Sequence, residues 1–194
     1  MENTLLTSDL ERLSDSLGQL PEPVAEPVLI VVSGLPGTGK SHFSAKLSER
    51  LPIVVLESDA LRKTLFPSPN YSAAESARLF QAIHLLIEKL LKKGIPIILD
   101  ATNLSERYRE RLYSIADRLG VKLILVQVEA PPEVVHERLT KQRVPNSRSK
   151  SDADWEVYER MKLTVDRIRR NHYVVDTSRN IMPVLDKIVR EVRH

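Results

Sequence analysis

The feature that most restricts the fold of this chain is a buried-strand pattern that runs directly into a glycine-rich loop. Residues 28–33 read Val-Leu-Ile-Val-Val-Ser, a β-branched, apolar run typical of a strand buried on both faces of a sheet. Residues 34–41 follow as Gly-Leu-Pro-Gly-Thr-Gly-Lys-Ser, which satisfies the pattern G-x-x-x-x-G-K-[ST]. A strand, a glycine-rich turn and a following helix together predict a phosphate cradle within an α/β fold.

The rest of the chain alternates between strand and helix patterns. Further strands are expected at residues 53–56, 95–99, 122–128 and 173–175. Helices are expected at residues 40–51, 73–93, 106–119, 154–169 and 181–192, with one more beginning at Pro131 and Pro132. This alternation predicts parallel strands joined by right-handed crossovers, with helices on both faces. We therefore expect a three-layer P-loop NTPase sandwich whose five parallel strands follow the order 2-3-1-4-5.

The first 27 residues have a different pattern from the remainder of the chain. Leucines recur at helical spacing, at positions 10, 13, 17 and 20. This spacing predicts an amphipathic helix over residues 8–20 that packs on the domain or on a partner. Prolines at positions 21, 23 and 27 then indicate a stiff, extended linker. Residues 28–194 are expected to form one domain.

Composition narrows the classes of function and location. Lys and Arg number 29 against 26 Asp and Glu, a net charge of +3, which is too mild to argue alone for a nucleic-acid partner. The absence of cysteine excludes disulfides and thiolate chemistry. No apolar run approaches the roughly 20 residues that span a bilayer, and the N-terminus lacks the pattern of a secretory signal. We therefore expect a cytoplasmic protein without a membrane partner.

The residue types in the glycine-rich loop indicate how each of them would bind a nucleotide. Its glycines let the backbone curl so that successive N–H groups point inward at phosphate oxygens. Lys40 is expected to reach the β- and γ-phosphates, the Ser41 hydroxyl to bind Mg²⁺, and the His42 backbone N–H to face the α-phosphate. The predicted nucleotide-binding residues here are Gly34, Pro36, Gly37, Thr38, Gly39, Lys40, Ser41 and His42.

A carboxylate and a guanidinium follow the second expected strand. Residues 57–62 read Glu-Ser-Asp-Ala-Leu-Arg, and ligands of such sheets bind beyond the carboxyl ends of the strands. Asp59 could accept the proton of an acceptor hydroxyl, and Arg62, three residues later on one helix face, could hold a substrate anion. The alternative is that Ser58 or Asp59 only caps a helix, and residue types alone favour that alternative.

A second carboxylate ends the third expected strand. Residues 97–103 read Ile-Ile-Leu-Asp-Ala-Thr-Asn, and an apolar strand ending in Asp is typical of a Walker-B element that holds Mg²⁺. The alternative for Asp100 is a strand-terminal Asx turn. Because a phosphate cradle lies nearby, the role of Asp100 as a metal ligand is favoured.

The segment 138–153 is basic, interrupted by proline and flanked by helices. Such a segment predicts a lid that closes over a triphosphate. Arg138 and Arg143 are the candidate clamps of the γ-phosphate, because guanidinium binds phosphate oxygens in a bidentate manner. The alternative is a solvated basic loop.

Together these motifs resemble the P-loop kinase family that includes polynucleotide 5′-hydroxyl kinases. Zeta toxins, chloramphenicol phosphotransferase and aminoacyl-tRNA kinases are more distant relatives. The resemblance runs from about residue 28 to the C-terminus. It rests on GLPGTGKS, SDALR, LDATN with the nearby Arg107, the Arg138/Arg143 segment, and residues 151–153 and 175–178.

The resemblance implies a role for each matched residue. Asp59 is then the general base and Arg62 contacts a substrate phosphate, which reverses the preference for a helix cap. Asp100 lies on the metal side or the acceptor side, and Asn103 and Arg107 are assigned to substrate binding. Thr177 matches a position that contacts adenine. The family has lid arginines four residues apart, whereas here that position is Gln142 and Arg143 comes one residue later.

The sequence thus predicts an ATP- and Mg²⁺-dependent kinase that phosphorylates a hydroxyl. Arg62 favours a 5′-hydroxyl nucleic acid or nucleotide as the acceptor. The alternatives are a small-molecule acceptor, or a non-catalytic ATP-binding switch or adaptor that would use the cradle without Asp59. Tyr71, Trp155 and Tyr158 are interpreted as isolated aromatics, so no platform for stacking bases is expected.

Overall fold

The computed structural model describes residues 2–102, 105–142 and 154–193. Within these ranges, after the first helix, one or two helices separate each strand from the next. The elements are α1 (Glu2–Asp15), β1 (Val28–Ser33), α2 (Lys40–Ser48), β2 (Val54–Glu57), α3 (Ser58–Leu65), α4 (Ala73–Lys92), β3 (Ile97–Asp100), α5 (Glu106–Leu119), β4 (Lys122–Glu129), α6 (Pro132–Gln142), α7 (Trp155–Lys162), β5 (Tyr173–Asp176) and α8 (Met182–Arg193).

The strands form one parallel sheet in the order β2-β3-β1-β4-β5. This order confirms the predicted topology. All six residues of β1 are buried, as are the four residues of β3, because helices cover both faces of the sheet. The central strands therefore read as continuous apolar runs rather than as alternating patterns.

Two hydrophobic clusters form the two interfaces between the sheet and its helices. Because successive strand side chains point to opposite faces, Leu29 and Val31 of β1 pack with α1, α3, α4 and α5. Ile30 and Val32 of the same strand pack with α2 and α8. The result is the predicted three-layer arrangement. No helix of the described ranges is long and apolar enough to cross a membrane.

The N-terminal helix lies earlier in the chain than the leucine spacing predicts. It ends at Asp15 rather than near residue 20. Leu17 and Leu20 therefore lie beyond the end of the helix, although both still pack against the core. The hydroxyls of Ser14 and Ser16 donate to backbone carbonyls within the last turn, and such local bonds compete with helix continuation. The leucine pattern therefore marks contact with the core correctly but places the helix end wrongly.

Helix α1 packs on the chain's own α3 and α4. The carboxylate of Asp9, 1% exposed, accepts hydrogen bonds from Nε and Nη2 of Arg78 on α4, both at 2.7 Å. The guanidinium of Arg12 donates to the carbonyl of Thr64 at 2.6 Å. These contacts favour the first of the two predicted alternatives, in which the helix packs on the domain.

Replacing Asp9 with asparagine is expected to lower the free energy of unfolding by about 1–3 kcal/mol, because the Arg78 guanidinium loses its charged, bidentate partner. Urea denaturation measures the difference. The matched control is Asp15→Asn, an exposed carboxylate on the same helix, which should change stability by less than about 0.5 kcal/mol. Equal effects of the two changes would contradict a docked helix.

Helix α7 is shorter than predicted, since it ends at Lys162 rather than near residue 169. The segment beyond it is held by α5 instead. Asp166 accepts the backbone N–H of Glu106 at 2.9 Å, and its carbonyl accepts from Arg109 Nη2 at 2.6 Å. Asp166 thus caps the first turn of a helix 60 residues away, a contact that periodicity does not report.

Candidate active site

The predicted site residues gather at the carboxyl edge of the sheet. The strand register pairs Asp100 at the end of β3 with Val32 of β1 on one side and with Glu57 of β2 on the other. The glycine-rich loop follows β1, and α3 with Asp59 follows β2. Thr177 directly follows β5 and donates its backbone N–H to the carbonyl of Glu129, the last residue of β4, at 3.0 Å.

The glycine-rich loop needs glycine for space as well as for backbone geometry. A Cβ on Gly34 would collide with the carbonyl oxygen of Val128. Gly39 has φ 95°, and a Cβ there would lie 3.0 Å from Oγ1 of Thr177. Gly39 caps the N-terminus of α2, so the loop delivers its N–H groups to the positive end of that helix. This is the arrangement that binds phosphate.

Lys40 starts α2 and reaches back over the loop. Its Nζ donates to the carbonyl of Leu35 at 3.1 Å. Burial lowers the pKa of the Lys40 ammonium, whereas the charges of Asp100 and Asp59 oppose that shift. Both predicted carboxylates therefore act on the lysine of the cradle.

Asp100 has the character of a metal ligand. Its side chain accepts a hydrogen bond from the Ser41 hydroxyl, while its Oδ2 is buried without a hydrogen-bond partner among the described residues. Burial raises the pKa of Asp100, with Lys40 and the bond to Ser41 acting in the other direction. A buried carboxylate oxygen next to a hydroxyl fits Mg²⁺, which prefers oxygen ligands. The residues present therefore fit the metal that the sequence predicts.

Asp59 lies in the first turn of α3 and is partly exposed. The residue that caps this helix is Glu57, and the cap has no side-chain hydrogen bond. The helix-cap alternative for Ser58 and Asp59 is therefore wrong, since both lie inside the helix. Asp59 adds negative charge to the field around Lys40 and Asp100.

Arg62 is buried, with 7% of its surface exposed, and is already paired. Its Nη1 forms an ion pair with the Glu75 carboxylate, and its Nη2 donates to the Ser76 hydroxyl at 3.2 Å. The ring of Tyr71 covers the guanidinium, with 4.8 Å from Cζ to the ring centroid. Its binding of a substrate phosphate stays a prediction, and Glu75 is the charge with which that phosphate would compete.

Arg138 on α6 connects the loop to the end of β5. Its Nη1 donates to Oγ1 of Thr177 at 2.8 Å and to the Gly37 carbonyl at 3.4 Å, and its Nη2 donates to the Thr177 carbonyl at 3.1 Å. The Thr177 hydroxyl donates in turn to the carbonyl of Thr38. The predicted phosphate clamp and the predicted adenine contact are therefore joined to one another and to the loop.

The remaining predicted residues fall into two groups. His42 is exposed at the start of α2, Pro36 is buried in the loop, and Arg107 is exposed in the first turn of α5. Asn103, Arg143 and the greater part of the predicted lid lie outside the described residues.

One expectation about the aromatics is wrong. Trp155 and Tyr158 are not isolated, because their rings stack with centroids 4.8 Å apart, and His136 packs edge-on against Trp155 at 4.8 Å. Tyr158 is buried with Val135 and Leu139 of α6. These rings join α7 to α6 and do not form an open platform.

Glu75, the partner of Arg62, is not among the predicted site residues. A signal was present, since residues 72–75 read Ser-Ala-Ala-Glu, the spacing of a capping box before a helix. The Ser72 hydroxyl does accept the N–H of Glu75 at 3.2 Å. The carboxylate of Glu75, however, turns to Arg62 and to the backbone N–H groups of Asn70 and Tyr71.

Sheet order, cradle and flanking helices make this chain a member of the P-loop NTPase fold class. Residues 29–168 match the family model described as AAA domain. The chain belongs to that family.

Known relatives agree with this placement. The chain is 29% identical over 126 residues to the L-seryl-tRNA(Sec) kinase of Methanococcus maripaludis, a match that covers 61% of this chain and 48% of the relative. The chain thus spans about half the length of that relative.

Solved structures show the same fold. The Mycobacterium tuberculosis APS kinase CysC, solved with AMPPNP and APS, matches with a TM-score of 0.66 at 18% identity and covers 87% of this chain and 99% of its own. The Pnkp1/Rnl/Hen1 complex matches with a TM-score of 0.52 at 22% identity, over 68% of this chain and 44% of its own. At these identities both matches concern the fold.

Proposed function

We propose that this chain is a phosphotransferase that moves the γ-phosphoryl group of ATP, bound with Mg²⁺, to a hydroxyl acceptor. The observation that carries the proposal is the pair of carboxylates beside Lys40. Asp100, beside Ser41, would hold the metal of the cradle. Asp59, from the next strand end, adds a second carboxylate at the same lysine, and a nucleotide-dependent switch has no use for it.

The nucleotide side of the site uses residues that the fold already brings together. Lys40 would bind the β- and γ-phosphates, and Ser41 and Asp100 would hold Mg²⁺. Bound Mg²⁺ offsets negative charge on the phosphate oxygens during transfer. Arg138 adds positive charge beside the loop, and Thr177 would face the adenine.

Asp59 would act on the acceptor. The hydroxyl oxygen forms a bond to the γ-phosphorus, the bond between that phosphorus and the bridging oxygen breaks, and ADP leaves. The hydroxyl proton passes to the Asp59 carboxylate. The position of Asp59 in the first turn of α3, just beyond the carboxyl end of β2, suits this role, because substrates of parallel sheets bind at that edge.

The acceptor class that we favour is a nucleotide or a 5′-hydroxyl nucleic acid, bound in part through Arg62. The L-seryl-tRNA(Sec) kinase named above supports an acceptor hydroxyl attached to nucleic acid. A second candidate is an uncharged small-molecule hydroxyl. The ion pair between Arg62 and Glu75 favours that candidate, because a neutralised guanidinium attracts a phosphate less strongly.

A transfer screen with ATP labelled in its γ-phosphate tests the proposal. The acceptors are a 5′-hydroxyl oligonucleotide, a nucleoside 3′-monophosphate, and a panel of uncharged alcohols and amino sugars. We expect transfer to the first two, and its loss when Mg²⁺ is chelated.

The companion variant is Arg62→Met with Glu75→Gln, which removes both buried charges together. It should impair transfer to the phosphate-bearing acceptors and leave ATP affinity unchanged, and Lys63→Ala, an exposed neighbour, serves as control. Transfer only to an uncharged acceptor, indifferent to Arg62, would reject the nucleic-acid acceptor. A complete absence of transfer would favour the switch.

A further inference from the structure

We propose that Tyr71 is a stacking platform for a planar ring of the acceptor, namely a nucleobase next to the hydroxyl that is phosphorylated. This inference rests on the proposed function and names the acceptor feature that the site would recognise. Tyr71 lies between α3 and α4, in the connection that also carries Asn70 and Ser72. Its sequence context alone predicts an isolated aromatic.

The backbone of Tyr71 is the first observation. Its φ of 55° is the one positive value at a residue other than glycine in the described part of the chain. A bulky aromatic residue rarely adopts this left-handed conformation. Strained positions of this kind cluster at ligand-binding sites. Gly, Asn or Asp would make the same turn with less strain, so the tyrosine side chain needs another explanation.

The surroundings of Tyr71 hold this conformation in place. The Glu75 carboxylate accepts the backbone N–H of Asn70 at 2.8 Å and that of Tyr71 at 3.3 Å. The Asn70 side chain accepts the N–H of Ser72 at 2.9 Å. Glu75 also pairs with Arg62. One buried carboxylate therefore fixes both the turn and the guanidinium beneath the ring.

The ring itself is presented rather than buried. Tyr71 is 46% exposed, although Arg62 lies against its ring with 4.8 Å from guanidinium carbon to centroid. A phenol ring that rests on a fixed guanidinium is a rigid surface, and a planar group can stack on such a surface. Exposed aromatic rings that stack bases are the usual means of holding unpaired nucleotides.

The position of this platform suits an acceptor. Arg62 lies three residues after Asp59 on α3, so the two side chains are neighbours on one helix face. A base stacked on Tyr71 would therefore lie near the carboxylate that receives the hydroxyl proton. Arg62 then contributes by orienting the ring, even though Glu75 neutralises its charge.

Two acceptors separate recognition of the base from recognition of a phosphate. A nucleoside 3′-monophosphate offers a 5′-hydroxyl, a phosphate and a base. Methyl ribofuranoside 3-phosphate offers the same hydroxyl and phosphate without the base. For the wild-type chain we expect a KM for the first acceptor about 5- to 150-fold lower than for the second, the range of one base–aromatic stack.

Three variants test the ring. Tyr71→Phe should keep the preference for the base. Tyr71→Ala should lose it, with ATP affinity unchanged by calorimetry. Tyr71→Asn is the matched control for the backbone, because asparagine tolerates the left-handed conformation but carries no ring, and it should lose the preference as well.

The platform would be overturned if Tyr71→Asn kept the wild-type preference for the base. It would also be overturned if the wild-type chain had equal KM values for the two acceptors. Either result would leave the proposed transfer intact. If the wild-type chain transfers phosphate to neither, the proposed transfer to such acceptors fails. The role of Tyr71 is then tested by calorimetry, which measures the binding of the nucleoside 3′-monophosphate in the presence of AMPPNP. Binding that Tyr71→Phe retains and Tyr71→Asn loses supports the platform, and binding that is absent or insensitive to the ring overturns it.

Discussion

Asp59→Asn is expected to lower kcat by about 10²- to 10⁴-fold, the range that general-base assistance supplies. The affinity for ATP with Mg²⁺ should not fall, because Asp59 lies outside the phosphate cradle and removing its negative charge cannot weaken the attraction for an anion. Steady-state kinetics with the acceptor found in the transfer screen measures the first quantity. Calorimetry with AMPPNP measures the second.

The control for Asp59→Asn is Glu57→Gln. Glu57 is also a carboxylate of this edge, contributes to the same field at Asp100, and is partly exposed. Its side chain makes no capping hydrogen bond to α3 and has no proposed part in proton transfer, so the substitution should change kcat by a small factor only. Equal losses in the two variants would assign the effect to the local charge rather than to a base. Full turnover of Asp59→Asn would remove Asp59 from the mechanism.

The sheet could be predicted from sequence because its constraints are local. A strand buried on both faces is apolar along most of its length, and a crossover between parallel strands usually contains a helix. The strands at residues 28–33 and 122–129 and the helix at residues 106–119 carry these patterns within their own residues, and Gly94 and Gly120 lie just beyond helix ends. The cradle is equally local, since eight consecutive residues define it.

The acceptor side could not be predicted in the same way, because its contacts join residues that are distant in sequence. Nothing near Arg62 announces that Glu75, 13 residues later, pairs with it. Nothing near Tyr71 reports that its φ is positive. The segment after α7 is held by the contact of Asp166 with Glu106, 60 residues away in the sequence. The sequence identifies which residues are charged. It does not report which of them pair with one another, and this pairing decides which remain available to a substrate.

Arg138 shows the same limit on the nucleotide side. Its residue type predicts a phosphate clamp, and the structure places it beside the cradle, bonded to Thr177 and to the Gly37 carbonyl. A phosphate that recruits Arg138 must replace these bonds. Its effect on ATP affinity is therefore a difference between two bonded states, and we expect it to be smaller than that of Lys40.

Lys40→Ala is expected to weaken the binding of ATP with Mg²⁺ by about 10- to 150-fold, which corresponds to the roughly 1.5–3 kcal/mol of a hydrogen bond to a charged group. In the structure Nζ of Lys40 donates to a loop carbonyl, that of Leu35, at 3.1 Å, and a triphosphate can replace that partner. Calorimetry with AMPPNP measures the change. Lys46→Ala, on the same helix with its Nζ paired to Glu49, is the control and should bind as the wild-type chain does.

The carboxylates beside Lys40 make this prediction sharper. Without the ammonium, the negative charges of Asp59 and Asp100 act on the triphosphate without the opposing charge of Lys40, and this repulsion adds to the lost bond. Removing one of those charges should therefore restore part of the affinity, so that Lys40→Ala with Asp59→Asn binds ATP more tightly than Lys40→Ala alone. Unchanged affinity of Lys40→Ala would contradict the cradle. Equal affinity of the double variant and of Lys40→Ala would instead show that Asp59 lies too far from the phosphates to act on them.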